Sequence, residues 1–475
     1  MSALWTIEAL AEATAGRIVG PVLTEVAGIS IDSRTIAAGE AFFAILGERV
    51  DGHDYVAPAL ARGAACAVVA EDRLAALPED GRYVVVDDVL AALGRLAAAA
   101  RARSSARIVA VTGSVGKTGT KEMLRVALSP SGPVHASVAS FNNHWGVPLS
   151  LARMPADTAY GVFEIGMSAP GEITPLTRLV RPHVAIITTV SAVHAANFAS
   201  EEAIADAKAE ILLGLEPGGT AILNRDNRHF ARLAAAARDA GVHRILGFGE
   251  LPGADVRLLS ADLAADGSAV EAEMLAKPVA YRIGAPGKHL VMNSLAVLAA
   301  AAELGADVAA AAAALTGHGA PAGRGARHVL AVGEGTALLI DESYNANPTS
   351  MRAAFAVLRL APVTGEGRRI AVLGDMLELG EAAADLHAGL ADDLVREDID
   401  LVHCCGPLMR SLFEALPEGR RGVYAGASSE LESAILPDIR PGDAVMVKGS
   451  NGSRMAPVVA ALRTRFASAD AAKRG

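Results

Sequence analysis

A β-branched run, Arg107-Ile108-Val109-Ala110-Val111, passes without a break into Thr112-Gly113-Ser114-Val115-Gly116-Lys117-Thr118, and the pattern beyond predicts a helix over residues 118–128. No other stretch restricts the fold so tightly, because a strand, a glycine loop and a helix in that order build a cradle for phosphate. The glycines let backbone N–H groups approach anionic oxygens, and the start of the helix adds partial positive charge. Lys117 is placed to neutralise the β/γ region of a nucleoside triphosphate, and Thr118 to offer a hydroxyl to Mg²⁺. The strict spacing of such loops begins with a glycine, where this chain has Val111. A chance glycine turn is the alternative, and the strand and helix on either side argue against it. Thr112 through Thr118 are therefore the expected ATP contacts.

At 475 residues the chain exceeds what one hydrophobic core supports, and roughly two to four domains are expected. Short β-rich runs at 107–111, 160–165, 184–190, 337–340, 370–373 and 444–447 alternate with helical stretches, the pattern of α/β domains with largely parallel sheets. A basic stretch at 101–106 and a loose, glycine-rich one at 317–323 interrupt the pattern and read as seams. The expected architecture is α/β in three domains. An N-terminal α/β domain covers 1–105, a central domain over 106–318 carries a parallel sheet like that of phosphate-loop ATPases, and a C-terminal Rossmann-like domain covers 319–475.

Apolar residues make up 52% of the chain, but alanine is prominent among them, in runs such as 96–100 and 308–314 that read as helix packing. The best apolar candidate for a span, 290–302, contains Asn293 and meets Glu303, so no membrane insertion is expected. A net charge of −10 gives no general attraction to nucleic acid, and an anionic ligand must be held by a local site. The first residues form no basic leader and reach acid at Glu8 and Glu12. Cys66 and the adjacent Cys404 and Cys405 lack metal-type spacing and read as buried, reduced thiols of a cytoplasmic protein.

Glu164 closes the run 160–165 just before Gly166, where a central strand would deliver a carboxylate to the ligand edge of the sheet. It reads either as a Mg²⁺ ligand beside Thr118 or as an ordinary acidic strand end. His194 follows the next strand and reads either as a ligand or as a packed loop histidine. The helix expected from about Ser200 puts Ile204, Lys208, Ile211, Leu212 and Leu215 on one face. A lysine in such a stripe either snorkels or loses its proton by desolvation. In the second case the neutral amine can take up CO₂ as a carbamate and become an anionic metal ligand.

With these residues in this order the chain resembles the Mur ligases, the ATP-dependent amide-forming family of peptidoglycan synthesis. The resemblance runs over nearly the whole sequence. It is carried by Asp32-Ser33-Arg34, Asp51-Gly52-His53, Asn142-Asn143-His144-Trp145-Gly146-Val147-Pro148, Phe163-Glu164-Ile165-Gly166-Met167 and Ala207-Lys208-Ala209-Glu210. It continues through Gly287-Lys288-His289 with Asn293, Gly323-Arg324, Asp341-Glu342-Ser343-Tyr344-Asn345-Ala346-Asn347-Pro348, Gly374-Asp375-Met376 and Lys448-Gly449-Ser450. His144 and Trp145 depart from the usual pattern, which has a short polar residue and an aliphatic one.

The resemblance implies that residues 1–105 bind a UDP-linked precursor, 106–318 bind ATP, and 319–475 bind the incoming amine and close over the nucleotide. Thr118 and Glu164 would hold one Mg²⁺, and His194 with carbamylated Lys208 a second. Asn293 would contact adenine, Arg324 the γ-phosphate and Asp341 the nucleotide from the same side. Ser33 and Arg34 would hold the uridine diphosphate, and Tyr344, Asn345 and Asn347 the other substrate. The implied catalytic set is Lys117, Glu164, His194, Lys208 and Arg324. The Asp-Asn-Pro-Arg motif of the diamino-acid-adding branch is absent. Residues 343–348 and 374–380 instead match the branch that adds D-alanyl-D-alanine to a UDP-N-acetylmuramoyl-tripeptide, with both small molecules as substrates and a monomer expected.

Amide formation from a carboxylate fails kinetically in water because oxide is a poor leaving group. The resemblance implies that ATP converts the carboxylate to an acyl phosphate, which the amine then attacks. Two other readings remain at this point: a related ligase with another amine donor, as in folylpolyglutamate synthesis, and a scaffold in which ATP acts as a conformational switch.

Overall fold

Within the strand Arg107–Thr112, Val109 and Val111 face one side of the sheet and Ile108 and Ala110 the other, and all four are fully buried. Such a strand must be covered on both faces. In the computed structural model, which describes residues 3–138, 140–192 and 197–467, it lies inside a nine-stranded sheet. The order is Lys277–Ile283, Gly267–Met274, Val256–Ala264, Arg244–Gly249, Thr220–Asn224, Val184–Ile187, Arg107–Thr112, Tyr160–Glu164, Val134–Ala136. Neighbours from Val134–Ala136 across to Val256–Ala264 pair in parallel. Val256–Ala264, Gly267–Met274 and Lys277–Ile283 form an antiparallel meander absent from the sequence reading. Helices Lys117–Leu128 and Lys288–Glu303 pack on one face, and Ile173–Val180, Glu201–Ala209 and Phe230–Asp239 on the other.

This order places the binding crevice. Arg107–Thr112 has Tyr160–Glu164 on one flank and Val184–Ile187 on the other, so the direction of winding reverses beside it. At such a reversal the carboxyl ends of neighbouring strands open onto one crevice. The expected strand over 184–190 stops at Ile187, because the chain turns there to bring Thr188 under the glycine loop. The helix carrying Lys208 starts on a Ser200 cap but is α-helical only to Ala209, and Leu215 lies beyond the 3₁₀ turn Glu210–Gly214 that follows.

The N-terminal sheet has five strands in the order Arg17–Val19, Tyr83–Val86, Cys66–Ala70, Glu40–Phe43, Gly28–Ser30, antiparallel only in its first pair. The stretch 101–106, read from its basic composition as a seam, is itself fixed in place. Helix Val89–Ala102 runs into it, and the buried Arg101 guanidinium donates to the carbonyl oxygens of Val180 (2.9 Å) and Arg181 (3.0 Å), with the Glu216 carboxylate at 3.3 Å. Arg103 lies 3.4 Å from the centroid of the Trp5 ring, whose Nε1 donates to Ala152 O at 3.1 Å. These contacts fasten the first domain to the second.

The C-terminal sheet has six strands, Ala326–Val332, Gly335–Glu342, Ala444–Lys448, Arg369–Gly374, Leu401–Cys405 and Arg421–Ala425, parallel after its antiparallel first pair. Apolar clusters fill both of its faces. The fold is thus the expected three-domain α/β architecture. All three cysteines are buried and free, and burial pushes Cys66 and Cys405 up to about 12. Among the described residues no helix is long and apolar enough to cross a membrane.

Candidate active site

The glycine loop is shaped by residues from the neighbouring strand end. Gly113 (φ +150°) packs so closely on Thr188 that a Cβ would collide with its hydroxyl. Ser114 N donates to Thr189 O (2.8 Å), Ser114 Oγ to Ser191 O (3.0 Å), and Thr188 Oγ1 to Val115 O (2.6 Å). Gly116 (φ +88°) is the N-cap of Lys117–Leu128, so the helix begins without a side-chain cap and its first N–H groups face the crevice. The Asn293 amide, on Lys288–Glu303, lies where a Cβ on Gly116 would come within 2.7 Å, which puts Asn293 against the loop. Lys117 Nζ donates to Gly113 O at 2.6 Å.

Thr118 and Glu164 come together here. Thr118 Oγ1 donates to Glu164 Oε2 at 2.9 Å, and Asn142 Nδ2 donates to Glu164 Oε1 at 2.7 Å. Glu164 is 1% exposed at the end of its strand, paired in register with Val111. Lys208 is also buried, and desolvation, with the charge of Lys117, holds its ammonium well below the ordinary lysine range. Burial lowers Lys117 as well; Glu164 opposes the shift and Arg324 adds to it. Four groups named from sequence, Lys117, Thr118, Glu164 and Lys208, therefore converge on one crevice. His194 lies outside the described residues.

From the third domain, Arg324 reaches across to donate to Ser140 Oγ at 3.3 Å, with its guanidinium 4.2 Å from the centroid of the Tyr344 ring. The Asp341 carboxylate is engaged within its own domain: it accepts from Gly323 N (2.8 Å), Ser343 N (3.1 Å) and Ser343 Oγ (2.6 Å). Asn347 caps helix Pro348–Arg359 in a reciprocal box with Ser350, and Asn345 gives its carbonyl to Lys448 Nζ at 2.9 Å. In the first domain Ser33 is buried, while Arg34 is exposed and paired with Asp32 at 2.8 Å.

Models of three domains match the chain in order: the "Mur ligase family, catalytic domain" over residues 25–101, the "Mur ligase middle domain" over 111–301 and the "Mur ligase, glutamate ligase domain" over 327–451. A UDP-N-acetylmuramoyl-tripeptide–D-alanyl-D-alanine ligase of Bacillus subtilis is 33% identical over 96% of this chain and 97% of its own, and its Escherichia coli namesake is 32% identical over 96% and 98%. A crystal structure of MurF from Acinetobacter baumannii superposes with a TM-score of 0.82 at 31% identity, covering 97% of this chain and 99% of that one. The chain belongs to the Mur ligase family. It is accordingly an ATP-dependent ligase.

The donor set of this Mur ligase fits Mg²⁺. Thr118 and Glu164 offer a hydroxyl and a carboxylate side by side on a helix start and a strand end, hard oxygens of the kind Mg²⁺ selects. Among the described residues no three His, Cys, Asp or Glu side chains form a metal cage. Mg²⁺ rarely needs one, since it keeps water and phosphate oxygens in its shell. Asn142, which orients Glu164, and Thr188, Thr189 and Ser191, which brace the loop, were not picked from the sequence as site residues. The reversal of strand order beside Arg107–Thr112 is the signal that would have pointed to the segment after Ile187.

Proposed function

We propose that this Mur ligase joins D-alanyl-D-alanine to the terminal carboxylate of UDP-N-acetylmuramoyl-tripeptide, with ATP as the activator, as a cytoplasmic step of peptidoglycan precursor synthesis. The observation that carries this reading is end-to-end similarity, at 32–33% identity over 96% of the chain, to ligases named for that reaction. The crevice supplies the means. Lys117 and the start of its helix hold the triphosphate, and Arg324 approaches from the third domain toward the γ-phosphate. Thr118 and Glu164 would hold one Mg²⁺, and His194 with a carbamate on Lys208 a second. Mg²⁺ held there would supply the positive charge that offsets repulsion between the triphosphate and the approaching carboxylate. A Lys208 amine kept neutral by burial would add to CO₂ and shed one proton, turning a neutral side chain into an anionic ligand.

A peptide carboxylate oxygen attacks the γ-phosphorus, its bond to the bridging oxygen breaks, and ADP leaves. The dipeptide nitrogen then attacks the acyl carbon, phosphate departs, and the nitrogen gives up a proton. Preorganised charge from Lys117 and Arg324 stabilises the phosphoryl group in flight, and closure of the third domain protects the acyl phosphate from water. Ser33 and Arg34 would hold the uridine diphosphate, Asn293 the adenine side of the nucleotide, and Tyr344 and Asn345 lie on the donor side. The test is phosphate release with UDP-N-acetylmuramoyl-tripeptide as acceptor, comparing D-alanyl-D-alanine with meso-diaminopimelate, lysine and glutamate. Release with D-alanyl-D-alanine alone is expected. Release with another amine and none with D-alanyl-D-alanine overturns the assignment.

A further inference from the structure

Arg324 is a third-domain cation close enough to the phosphate loop for its charge to act on Lys117, and its surroundings show how a long side chain is held there. Its neighbours Gly323 and Gly325 both have left-handed backbones, φ +73° and +101°. Both dock on Asp341 near the end of strand Gly335–Glu342, and Gly323 also meets the turn that follows it. Gly323 N donates to Asp341 Oδ2 (2.8 Å), Gly325 N to Asp341 O (2.8 Å), and Tyr344 N to Gly323 O (3.1 Å). The turn is anchored in turn by Lys448, whose ammonium binds Asn345 O at 2.9 Å and Glu342 Oε2 at 3.1 Å. Above it lies the Tyr344 ring, with the Arg324 guanidinium carbon 4.2 Å from its centroid and Nη2 reaching on to Ser140 of the central domain.

We propose that Tyr344 is a positioning residue for Arg324, its ring face carrying the guanidinium at the height from which it meets the transferring phosphoryl group. The assignment rests on Arg324 acting at the γ-phosphate and moves Tyr344 from the dipeptide to the first chemical step. An unsupported arginine surrenders several rotatable bonds each time it is ordered, whereas a planar guanidinium stacked on an aromatic face is already restricted and gains a cation–π attraction. Asp341 and Lys448 contribute by fixing the turn on which the ring stands.

The test uses the full-length enzyme with UDP-N-acetylmuramoyl-tripeptide, ATP and Mg²⁺, following the single-turnover burst of ADP before D-alanyl-D-alanine is added, and then the KM for the dipeptide. Tyr344→Ala should slow the burst by about tenfold and leave the dipeptide KM within about twofold. Tyr344→Phe should recover most of the loss, and Tyr344→Leu, which keeps the bulk without the π face and covers the case of a poorly folded Ala variant, should not. In an Arg324→Ala background Tyr344→Ala should cost nothing further, the non-additivity of two residues acting as one. A raised dipeptide KM with an unchanged burst, or equal losses for Phe and Ala, overturns the proposal. A wild-type enzyme that makes acyl phosphate but transfers it to another amine would instead overturn the donor assignment and leave this one standing.

Discussion

Thr118 Oγ1 and Glu164 Oε2 stand 2.9 Å apart, joined by a hydrogen bond between the first turn of one helix and the last residue of the neighbouring strand. The two residues are 46 positions apart in the chain and meet because strand Arg107–Thr112, which leads to the helix of Thr118, lies beside the strand that ends at Glu164. Glu164→Gln keeps the shape and the Asn142 contact but removes the charge. Turnover should fall on the order of a hundredfold, with a higher Mg²⁺ concentration at half-maximal rate and an unchanged unfolding temperature. Kinetics over a Mg²⁺ titration check this, and unchanged Mg²⁺ dependence would remove Glu164 from the metal site.

The two loop glycines are constrained by both conformation and space. Gly116→Ala would put a methyl group about 2.7 Å from the Asn293 amide at φ +88°, and Gly113→Ala would strike Thr188. Each should lose about 1–3 kcal/mol of stability and most nucleotide affinity, read by thermal unfolding and ATP titration. Gly171, with open space around its Cβ position, is the control for a left-handed glycine away from the loop.

Lys208→Ala should abolish turnover while ATP still binds. A short carboxylic acid such as acetate should restore part of the rate by standing in for the carbamate, and the wild-type rate should fall when CO₂ is stripped from the buffer. Full activity of Lys208→Ala would exclude the carbamate.

Arg101 should be a strong determinant of stability without touching the chemistry. Its buried guanidinium satisfies two backbone carbonyls of the central domain, and Arg101→Met leaves them unpaired. A loss of about 2–4 kcal/mol is expected in chemical denaturation, with the KM for ATP unchanged.

Two histidines far from the crevice predict how stability varies with pH. His183 Nδ1 accepts from Ile108 N, and burial together with Arg107 and Arg101 lowers its pKa to about 4; burial also brings His403, which accepts from Val423 N, to about 4. Between these values and the ordinary 6.5 the unfolded chain binds more protons than the folded one, so stability present above 6.5 is lost as pH falls toward 4. Replacing either with Asn should flatten the slope of unfolding free energy in that window, measured by denaturant titration at several pH values.

Local signals made much of the site readable in advance. The loop, Glu164 and Lys208 each announce themselves within a single element, by glycine spacing, by position at a strand end and by a charge in an apolar stripe. What escaped depends on contacts between elements. Asp341 and Asn347 looked like ligand contacts, yet the carboxylate of one secures Gly323 and Ser343 and the amide oxygen of the other caps a helix, choices set by where a turn returns in space. The meander Val256–Ile283 was missed because a half-solvated antiparallel edge alternates apolar with charged residues, Val270 and Ala272 with Glu271 and Glu273, and lacks the continuous apolar runs by which the buried parallel strands were found.

The clamp around Arg101, with Trp5 and Arg103 beside it, has a thermodynamic meaning. Because it ties the first domain to the second through buried hydrogen bonds, neither can open without breaking them, and the two should unfold as one cooperative unit.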